Sequence, residues 1–344
     1  MNLIRIGIDG LGFENNPIVA YEAAKQALSD FPNLEITLVT NQDVIDAAKQ
    51  EHLDRLKLVL AKEFATQEDT VNIIRTHNNL SIQLACDLLA NNEIDGLVTS
   101  GNTGITIATA FLKVGTYDNI NKFGLMITMP TMIENKLVWL IDTGANTKVT
   151  GKNLYEYAIM TNVYVSKIHN IEHPKIGLIN IGTEEHKGLD EHKEADALIK
   201  HNPSLNYVGF VEPNNILTGK DVDIYICNGY TGNIILKTLE GTMKMIGSFL
   251  KVEYKKWFNL FPYALNKHII DKLKNRFNAN PWAGAYLLGL KKPIIKGHSR
   301  TDKEQLFTCI RMMYSALTKQ VFKIMEQELN KINNEQSRTT NQSN

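Results

Sequence analysis

Asn102, Asn146, Asn180 and Asn233 each stand at or just after the end of an apolar run, in the company of glycine. Amides in such places donate hydrogen bonds without adding charge, and glycine lets backbone come close to a ligand. In Val98-Thr-Ser-Gly-Asn-Thr-Gly104 an apolar run from Ile94 stops at Ser100, passes Gly101, and opens into the helical pattern of residues 105–114. A strand, a glycine turn and a helix start bring unpaired N–H groups and the positive dipole end to one spot, which favours an anion, phosphate above all. Ser100, Gly101, Asn102, Thr103 and Gly104 are therefore candidate phosphate-binding residues. Asp142-Thr-Gly-Ala-Asn146 follows the run 137–141. Asp142 offers a carboxylate there, Gly144 a tight turn, and Asn146 a donor for an acyl carbonyl or phosphate oxygen; the alternative is an Asx-type turn that holds its own backbone. Asn180-Ile-Gly-Thr-Glu-Glu-His-Lys-Gly188 ends another run, with Thr183 as a helix N-cap and residues 184–186 as the first turn. Lys187 would oppose the dipole of such a helix, so it is expected to pair with Glu184 or to reach an anionic ligand. Asn228-Gly-Tyr-Thr-Gly-Asn-Ile-Ile-Leu-Lys237 repeats the first scheme, with Gly232 and Asn233 starting a helix and Lys237 one turn further. The four turns are expected to converge on one crevice suited to an oxyanion and a carbonyl.

Short β-rich apolar runs at 3–8, 34–39, 56–60, 96–99, 137–141, 176–181, 207–211, 222–227 and 293–295 must hold these turns. Helical stretches at 18–28, 81–91, 153–168, 192–200 and 232–249 separate most of them. Strands alternating with helices predict an α/β fold with a doubly wound, largely parallel sheet, whose ligands sit beyond the carboxyl ends of the strands. Residues 1–330 read as one large domain carrying a helical arm at about 244–280, and the polar stretch 331–344 reads as a disordered tail. There is no internal repeat.

Bulk properties exclude several functions. The 344 residues include 37 basic and 37 acidic side chains, so the basic surplus that nucleic-acid binding needs is missing. Cys86, Cys227 and Cys309 are isolated in apolar surroundings and read as reduced core residues. The nine histidines lack ligand spacing, so no metal is expected. Gly10-Leu-Gly12, with Glu35 as ribose acceptor, lacks the third glycine of a dinucleotide fingerprint, where Asn15 stands, and no cofactor is expected. The first residues run directly into a strand pattern, and no apolar run approaches ~18 residues, so a cytoplasmic protein without signal peptide or membrane span is expected. From Lys244 to Arg276 eight basic residues, among them Lys251, Lys255 and Lys256, face only Glu253 and Asp271, interleaved with aromatics such as Trp257 and Phe258. Broken at Pro262, this pattern fits a helical hairpin lying on an anionic membrane surface, or a dimer-interface arm with a solvated basic face.

Ser100-Gly-Asn-Thr-Gly104, Asp142-Thr-Gly-Ala-Asn146, Tyr157-Ala-Ile-Met-Thr-Asn-Val-Tyr164, Ile176-Gly-Leu-Ile-Asn-Ile-Gly-Thr-Glu-Glu-His-Lys-Gly188 and Asn228-Gly-Tyr-Thr-Gly-Asn-Ile-Ile-Leu-Lys-Thr238 resemble, in order and spacing, the PlsX family of acyl-ACP:phosphate acyltransferases. The similarity runs from residue 6 to about residue 325. It implies transfer of a long fatty acyl group from acyl carrier protein to inorganic phosphate, giving acyl-phosphate for phospholipid synthesis. It also implies an isocitrate/isopropylmalate dehydrogenase-like α/β/α sandwich and a homodimer. Carrier proteins of this kind are acidic, so the basic arm could equally steer the donor.

Some positions depart from the family pattern. Phe13 and Glu14 stand where glycine and aspartate are usual, Lys148 and Asn228 replace aspartates, Phe210-Val-Glu212-Pro-Asn-Asn replaces a Gly-Asn-Val-Glu-Gly-Arg-Asp-like segment, and Lys296-Gly-His-Ser299 replaces His-Gly-Ser-Ser. The lost acids leave a catalytically weakened homologue, binding carrier protein or lipid as a scaffold, as one alternative; a short-chain phosphate acyltransferase using coenzyme A is another. For the transferase, the phosphate dianion is already nucleophilic, so positioning and oxyanion stabilisation suffice without a serine or cysteine nucleophile. The assignment puts phosphate on the N–H groups of residues 102–104 with Lys187 as counter-charge. Asn146, Asn180 and Asn233 donate toward the thioester oxygen, Glu184 orients Lys187, and His186 and His298 are candidate acids for the departing thiolate.

Overall fold

A computed structural model describes residues 3–51, 53–118, 120–256, 258, 260–276 and 284–342. In chain order the strands are β1 (Ile4–Asp9), β2 (Leu34–Thr40), β3 (Leu56–Leu60), β4 (Gly96–Thr99), β5 (Gly124–Pro130), β6 (Leu137–Ile141), β7 (Lys175–Ile179), β8 (Asn206–Val211), β9 (Ile224–Ile226), β10 (Gly284–Leu288) and β11 (Ile294–Gly297). The helices are α1 (Ile18–Asp30), α2 (Gln42–Ala48), α3 (Ile73–Thr76), α4 (Ser81–Ala90), α5 (Thr103–Lys113), α6 (Gly151–His169), α7 (Asp190–Lys200), α8 (Gly229–Tyr254), α9 (Leu260–Arg276), α10 (Lys303–Thr318) and α11 (Val321–Gln342).

Alternation along the strands explains the layering. Val98, Met126, Trp139, Ile141, Tyr286 and Ile295 join one large core cluster with residues of α1, α6, α7, α10 and α11. Their neighbours Leu97, Leu125, Leu287 and Ile294 pack with α4 and α5 on the other face. Val138, Leu140 and Tyr225 lie on that second face with Ile235 and Leu239 of α8, and Ile127 touches both of its clusters. A strand buried on both faces reads as a continuous apolar run, which is why β4, β6, β9 and β11 were visible as such.

The eleven strands form one sheet, in the order β3-β2-β1-β4-β11-β10-β5-β6-β9-β7-β8. Most pairs are parallel, but β10 is antiparallel to both β11 and β5, and β5 is antiparallel to β6. The sheet therefore holds two parallel blocks, β3-β2-β1-β4-β11 and β6-β9-β7-β8, whose carboxyl ends face opposite ways. The sequence reading lacked β5 and β10, and with them this reversal.

The stretch expected to be a disordered tail continues α11 to Gln342. Val321, Met325 and Leu329 recur every fourth residue and are buried where α11 meets α6. Once a packed stripe nucleates the helix, each further polar residue adds a hydrogen bond at little cost.

Glu156 of α6 is 4 % exposed, with Asn153 Nδ2 donating to it at 3.3 Å and Lys152 at 3.7 Å. Burial raises its carboxyl from 4.5 to about 7. Its contribution to stability is thus present below pH 4.5 and lost as pH rises through 7. Glu156→Gln is expected to raise unfolding free energy by ~2 kcal/mol at pH 8, with no gain at pH 4, as read by urea titration at both pH values.

Candidate functional site

Asp142 ends β6 and is fully buried. Its Oδ1 accepts from the N–H groups of Leu125 (3.1 Å), Gly144 (2.9 Å) and Ala145 (2.8 Å), and its Oδ2 from the N–H of Asn146 (2.8 Å). Burial pushes this carboxyl up, against four N–H donors that favour its ionised form. Asp142 is the internal scaffold of the turn, and none of its acceptor capacity is left for substrate. Asn146 is used in the same way. Its Nδ2 donates to the Phe123 carbonyl at 2.5 Å and to Tyr157 Oη at 3.0 Å, while its carbonyl accepts from Gly229 N at 2.8 Å. Both amide hydrogens are committed, so the expected donation from Asn146 to a thioester does not hold in this structure.

This turn packs against the start of α8. Asn228 caps the helix, its Oδ1 accepting from Thr231 N at 2.8 Å, the same bond an aspartate would make without a second acid beside Asp142. At Gly232 an added Cβ would lie 1.9 Å from the Asp142 carbonyl oxygen, so only glycine allows α8 this approach. Asn233 follows. It is exposed, faces Gly144, and its amide has no hydrogen-bond partner among the described residues.

The segment 181–188 is a loop; α7 begins only at Asp190. The helix expected after Thr183 is absent, so Lys187 opposes no dipole. Lys187 Nζ pairs with Glu184 Oε1 at 2.7 Å, as the sequence suggested, and lowers the Glu184 carboxyl. Asn180 Nδ2 donates to the Lys187 carbonyl at 3.1 Å and closes the loop, which makes Asn180 a positioning residue for Lys187.

At the opposite end of the sheet the segments 9–16, 65–69, 99–104 and 296–301 interlock. Asn102 caps α5 through Ile105 N (3.2 Å) and donates to the carbonyls of Gln67 (3.1 Å) and Asp69 (3.2 Å). Its side chain is thereby fully used, leaving the N–H groups of Thr103 and Gly104 as the donors that α5 presents. Ser100 Oγ, buried, meets Thr301 Oγ1 at 3.2 Å. Glu14 accepts from Arg300 Nε at 2.7 Å and from Ser299 Oγ at 3.2 Å, so this unusual residue ties the first turn to the last. Asp9 lies beneath, buried, with Thr99 Oγ1 donating to its Oδ2 at 2.8 Å and burial raising its carboxyl to about 6.

The four turns therefore do not meet at one strand edge. Lys187 follows β7 and the 100–104 turn follows β4, six strands away and at the other end of the sheet; at the usual strand spacing that is about 28 Å. Within one chain, Lys187 does not neutralise an anion at α5. What connects the ends is α8, 26 residues and thus about 39 Å long, which starts at Asp142 and carries Lys237 toward the end of β11. Lys237, paired with Glu240 at 2.9 Å, has Lys296 of β11 as a neighbour, on the strand beside β4.

A family model described as "Fatty acid synthesis protein" matches residues 4–324. The phosphate acyltransferase of Ureaplasma parvum serovar 3 is 37% identical over 331 residues, 96% of this chain and 98% of that protein. The phosphate acyltransferase of Thermoanaerobacterium thermosaccharolyticum is 36% identical over 329 residues, 95% of this chain and 97% of its own. The chain belongs to this phosphate acyltransferase family. Among solved structures, a phosphotransacetylase from Streptococcus pyogenes superposes with TM-score 0.60 at 17% identity, covering 93% of this chain and 94% of that one. A branched-chain phosphotransacylase from Enterococcus faecalis gives 0.56 at 15%, covering 92% and 100%; both show a shared fold.

Family membership makes the protein an enzyme, and the unusual positions are compatible with that. Asn228 performs the cap, Glu14 anchors Arg300, Phe13 packs on the main core, and Lys148 points to solvent while its carbonyl accepts from Lys122 Nζ. Cys86, Cys227 and Cys309 are all buried, with thiols raised by burial, which removes them as nucleophiles. Among the described residues no group of His, Cys, Asp and Glu could hold a metal, and no helix is long and apolar enough to cross a membrane.

In the arm, past Gly241, where an added Cβ would meet nothing within 4 Å, α8 runs on to Tyr254 and α9 follows, its last residue Arg276 donating to the Met132 carbonyl at 3.0 Å. Along it Met245, Phe249, Val252, Phe261, Leu265 and Ile269 are each more than half exposed. Lys251, Lys255, Lys256 and Phe258 are exposed too; Trp257 lies outside the described residues.

Proposed function

We propose that this phosphate acyltransferase moves a long-chain fatty acyl group from acyl carrier protein to inorganic phosphate, giving acyl-phosphate for phospholipid synthesis. The observation that carries the long-chain, carrier-borne donor is the arm of α8 and α9. Exposed apolar side chains alternate there with lysines, a surface that suits a lipid acyl chain and an acidic carrier, and that a water-soluble short acyl donor does not require. The same surface supports contact with an anionic membrane and with a second subunit of a homodimer. A dehydrogenase-like ancestry of the sandwich is proposed on the sequence resemblance alone.

In the proposed reaction a phosphate oxygen forms the new C–O bond to the thioester carbon, the tetrahedral oxyanion collapses, the C–S bond breaks, and the carrier thiolate leaves to take a proton. Lys237, one turn along α8 from Asn233, receives phosphate. Asn233 donates to the carbonyl oxygen as it gains charge, and Lys187, held by Glu184 and Asn180, supplies a cation on the loop after the strand beside α8. Asp142, Asn146 and Gly232 are positioning residues for Asn233. No acyl-enzyme is needed.

Hydroxylamine trapping of acyl-phosphate, with palmitoyl-acyl carrier protein, palmitoyl-coenzyme A and acetyl-coenzyme A run side by side, tests the donor. Product at least tenfold faster from the carrier-bound donor is expected. Acetyl-coenzyme A as the best donor would replace this reading by the short-chain one, and no product from any donor would replace it by the scaffold.

A further inference from the structure

Lys296 sits on β11 opposite Thr99 of β4, one residue before the 100–104 turn begins. It shares a strand face with Ile294, two residues earlier, and therefore points to the side of the sheet that carries α5 and, beside it, the start of α8. Lys237 of α8 is close enough to repel it. Beyond it, exposed His298 feels Lys296, Lys237 and Lys244 as cationic neighbours and Glu240 as an acidic one. Glu240 is already engaged by Lys237 at 2.9 Å. Lys296 itself has no ion pair and no hydrogen bond among the described residues. Cys309, buried and protonated, is its other near neighbour.

A half-buried Lys296 with Lys237 close by, and with the nearby Glu240 carboxylate already taken by Lys237, is an arrangement that costs stability unless something negative arrives. The next residue, Gly297, faces the other side of the sheet and ties the β11 and β4 turns together. At Gly297 a Cβ would fall 2.4 Å from Ser100 Oγ, so glycine there lets the β11 turn press against the β4 turn, and Ser100 Oγ reaches Thr301 Oγ1 at 3.2 Å. His298 Nδ1 accepts from Arg300 N at 3.2 Å, which leaves Nε2 as the protonated donor of the neutral ring.

We infer that Lys296, with Lys237 and the Nε2–H of His298, forms a seat for a phosphate-class oxyanion between β11 and α8, and that Lys296 is the counter-charge which Lys187 is too far away to provide. The inference rests on the acyl-phosphate reading for its choice of ligand. Two sources share that chemistry: inorganic phosphate as co-substrate, and the phosphodiester of a pantetheine-borne donor. Burial brings the Lys296 ammonium down to about 8, so an arriving anion re-stabilises a charge that the empty site holds weakly.

The test uses the full chain with Lys296→Met and Lys296→Arg. For phosphate as the occupant, Lys296→Met raises the phosphate KM about tenfold or more and abolishes the rise in melting temperature that inorganic phosphate gives the wild type without donor, while Lys296→Arg keeps most of both. For the phosphodiester, the KM of palmitoyl-acyl carrier protein and of palmitoyl-coenzyme A rises instead, with phosphate KM unchanged; this result also supports the seat. Unchanged KM values for phosphate and both donors, in a variant that melts like the wild type, overturn it. If Lys296→Met does not fold, Lys237→Met on the exposed helix surface reads the same quantities. The donor-free melting arm needs no turnover, so loss of the acyl-phosphate reading and loss of the Lys296 seat are separately visible.

Discussion

Asn233→Ala is expected to lower kcat by about 10²–10³-fold and to leave the melting temperature within a few degrees of wild type. The size follows from the kind of bond removed. A neutral amide fixed on the first turn of a long helix reorganises little when a carbonyl oxygen becomes an oxyanion, and removing one such donor is worth about 3–4 kcal/mol of barrier. The small effect on stability follows from exposure: Asn233 bonds to no described residue, so its removal orphans nothing buried. Steady-state turnover beside a thermal melt checks both halves. A kcat within threefold of wild type would remove Asn233 from the reaction.

Gly232→Ala acts on the same helix through packing. The new Cβ would meet the Asp142 carbonyl oxygen at 1.9 Å, its carbon at 2.9 Å and Cys227 Sγ at 3.0 Å, and two of those three atoms are backbone. Backbone cannot rotate away as a flexible side chain can, so α8 must shift or the Asp142 turn must open and release the N–H groups it gathers. A loss of about 3 kcal/mol or more is expected, with activity lost alongside. Gly241→Ala in the same helix meets nothing within 4 Å, and should instead gain up to ~1 kcal/mol from helix propensity. Opposite signs in one pair of urea titrations would separate close approach from propensity; a Gly232→Ala protein as stable as wild type would mean that α8 does not approach Asp142 as described.

The runs that became β1, β2, β4, β6, β7, β9 and β11 were legible because strands buried on both faces are largely apolar, and their glycine-rich ends were legible as turns; the edge strands β3 and β8, half exposed, were legible as shorter apolar runs. Strand direction was not. Gly124-Leu-Met-Ile-Thr-Met-Pro130 and Gly284-Ala-Tyr-Leu-Leu288 carry no mark of being antiparallel, yet these two strands turn one half of the sheet over and place Lys187 far from Asn102. The asparagines were legible as special and misread in role. An amide at a strand end donates to the nearest acceptor, and for Asn102, Asn146 and Asn180 that acceptor is a carbonyl of the fold itself. Only Asn233, placed on the exposed side of α8 by the glycine before it, escapes that competition. Lys187 found the partner its spacing foretold, Glu184, but in a loop.

The most direct test of direct attack by phosphate is to mix the protein in excess with palmitoyl-acyl carrier protein, first without phosphate and then with it, following free carrier thiol, acyl groups on the protein by mass spectrometry, and acyl-phosphate. Without phosphate the account predicts no free thiol and no acylated protein; on adding phosphate, thiol and acyl-phosphate appear in equal amounts. Acylated protein and free thiol before phosphate is added would mean a nucleophile in the chain, and would contradict the account.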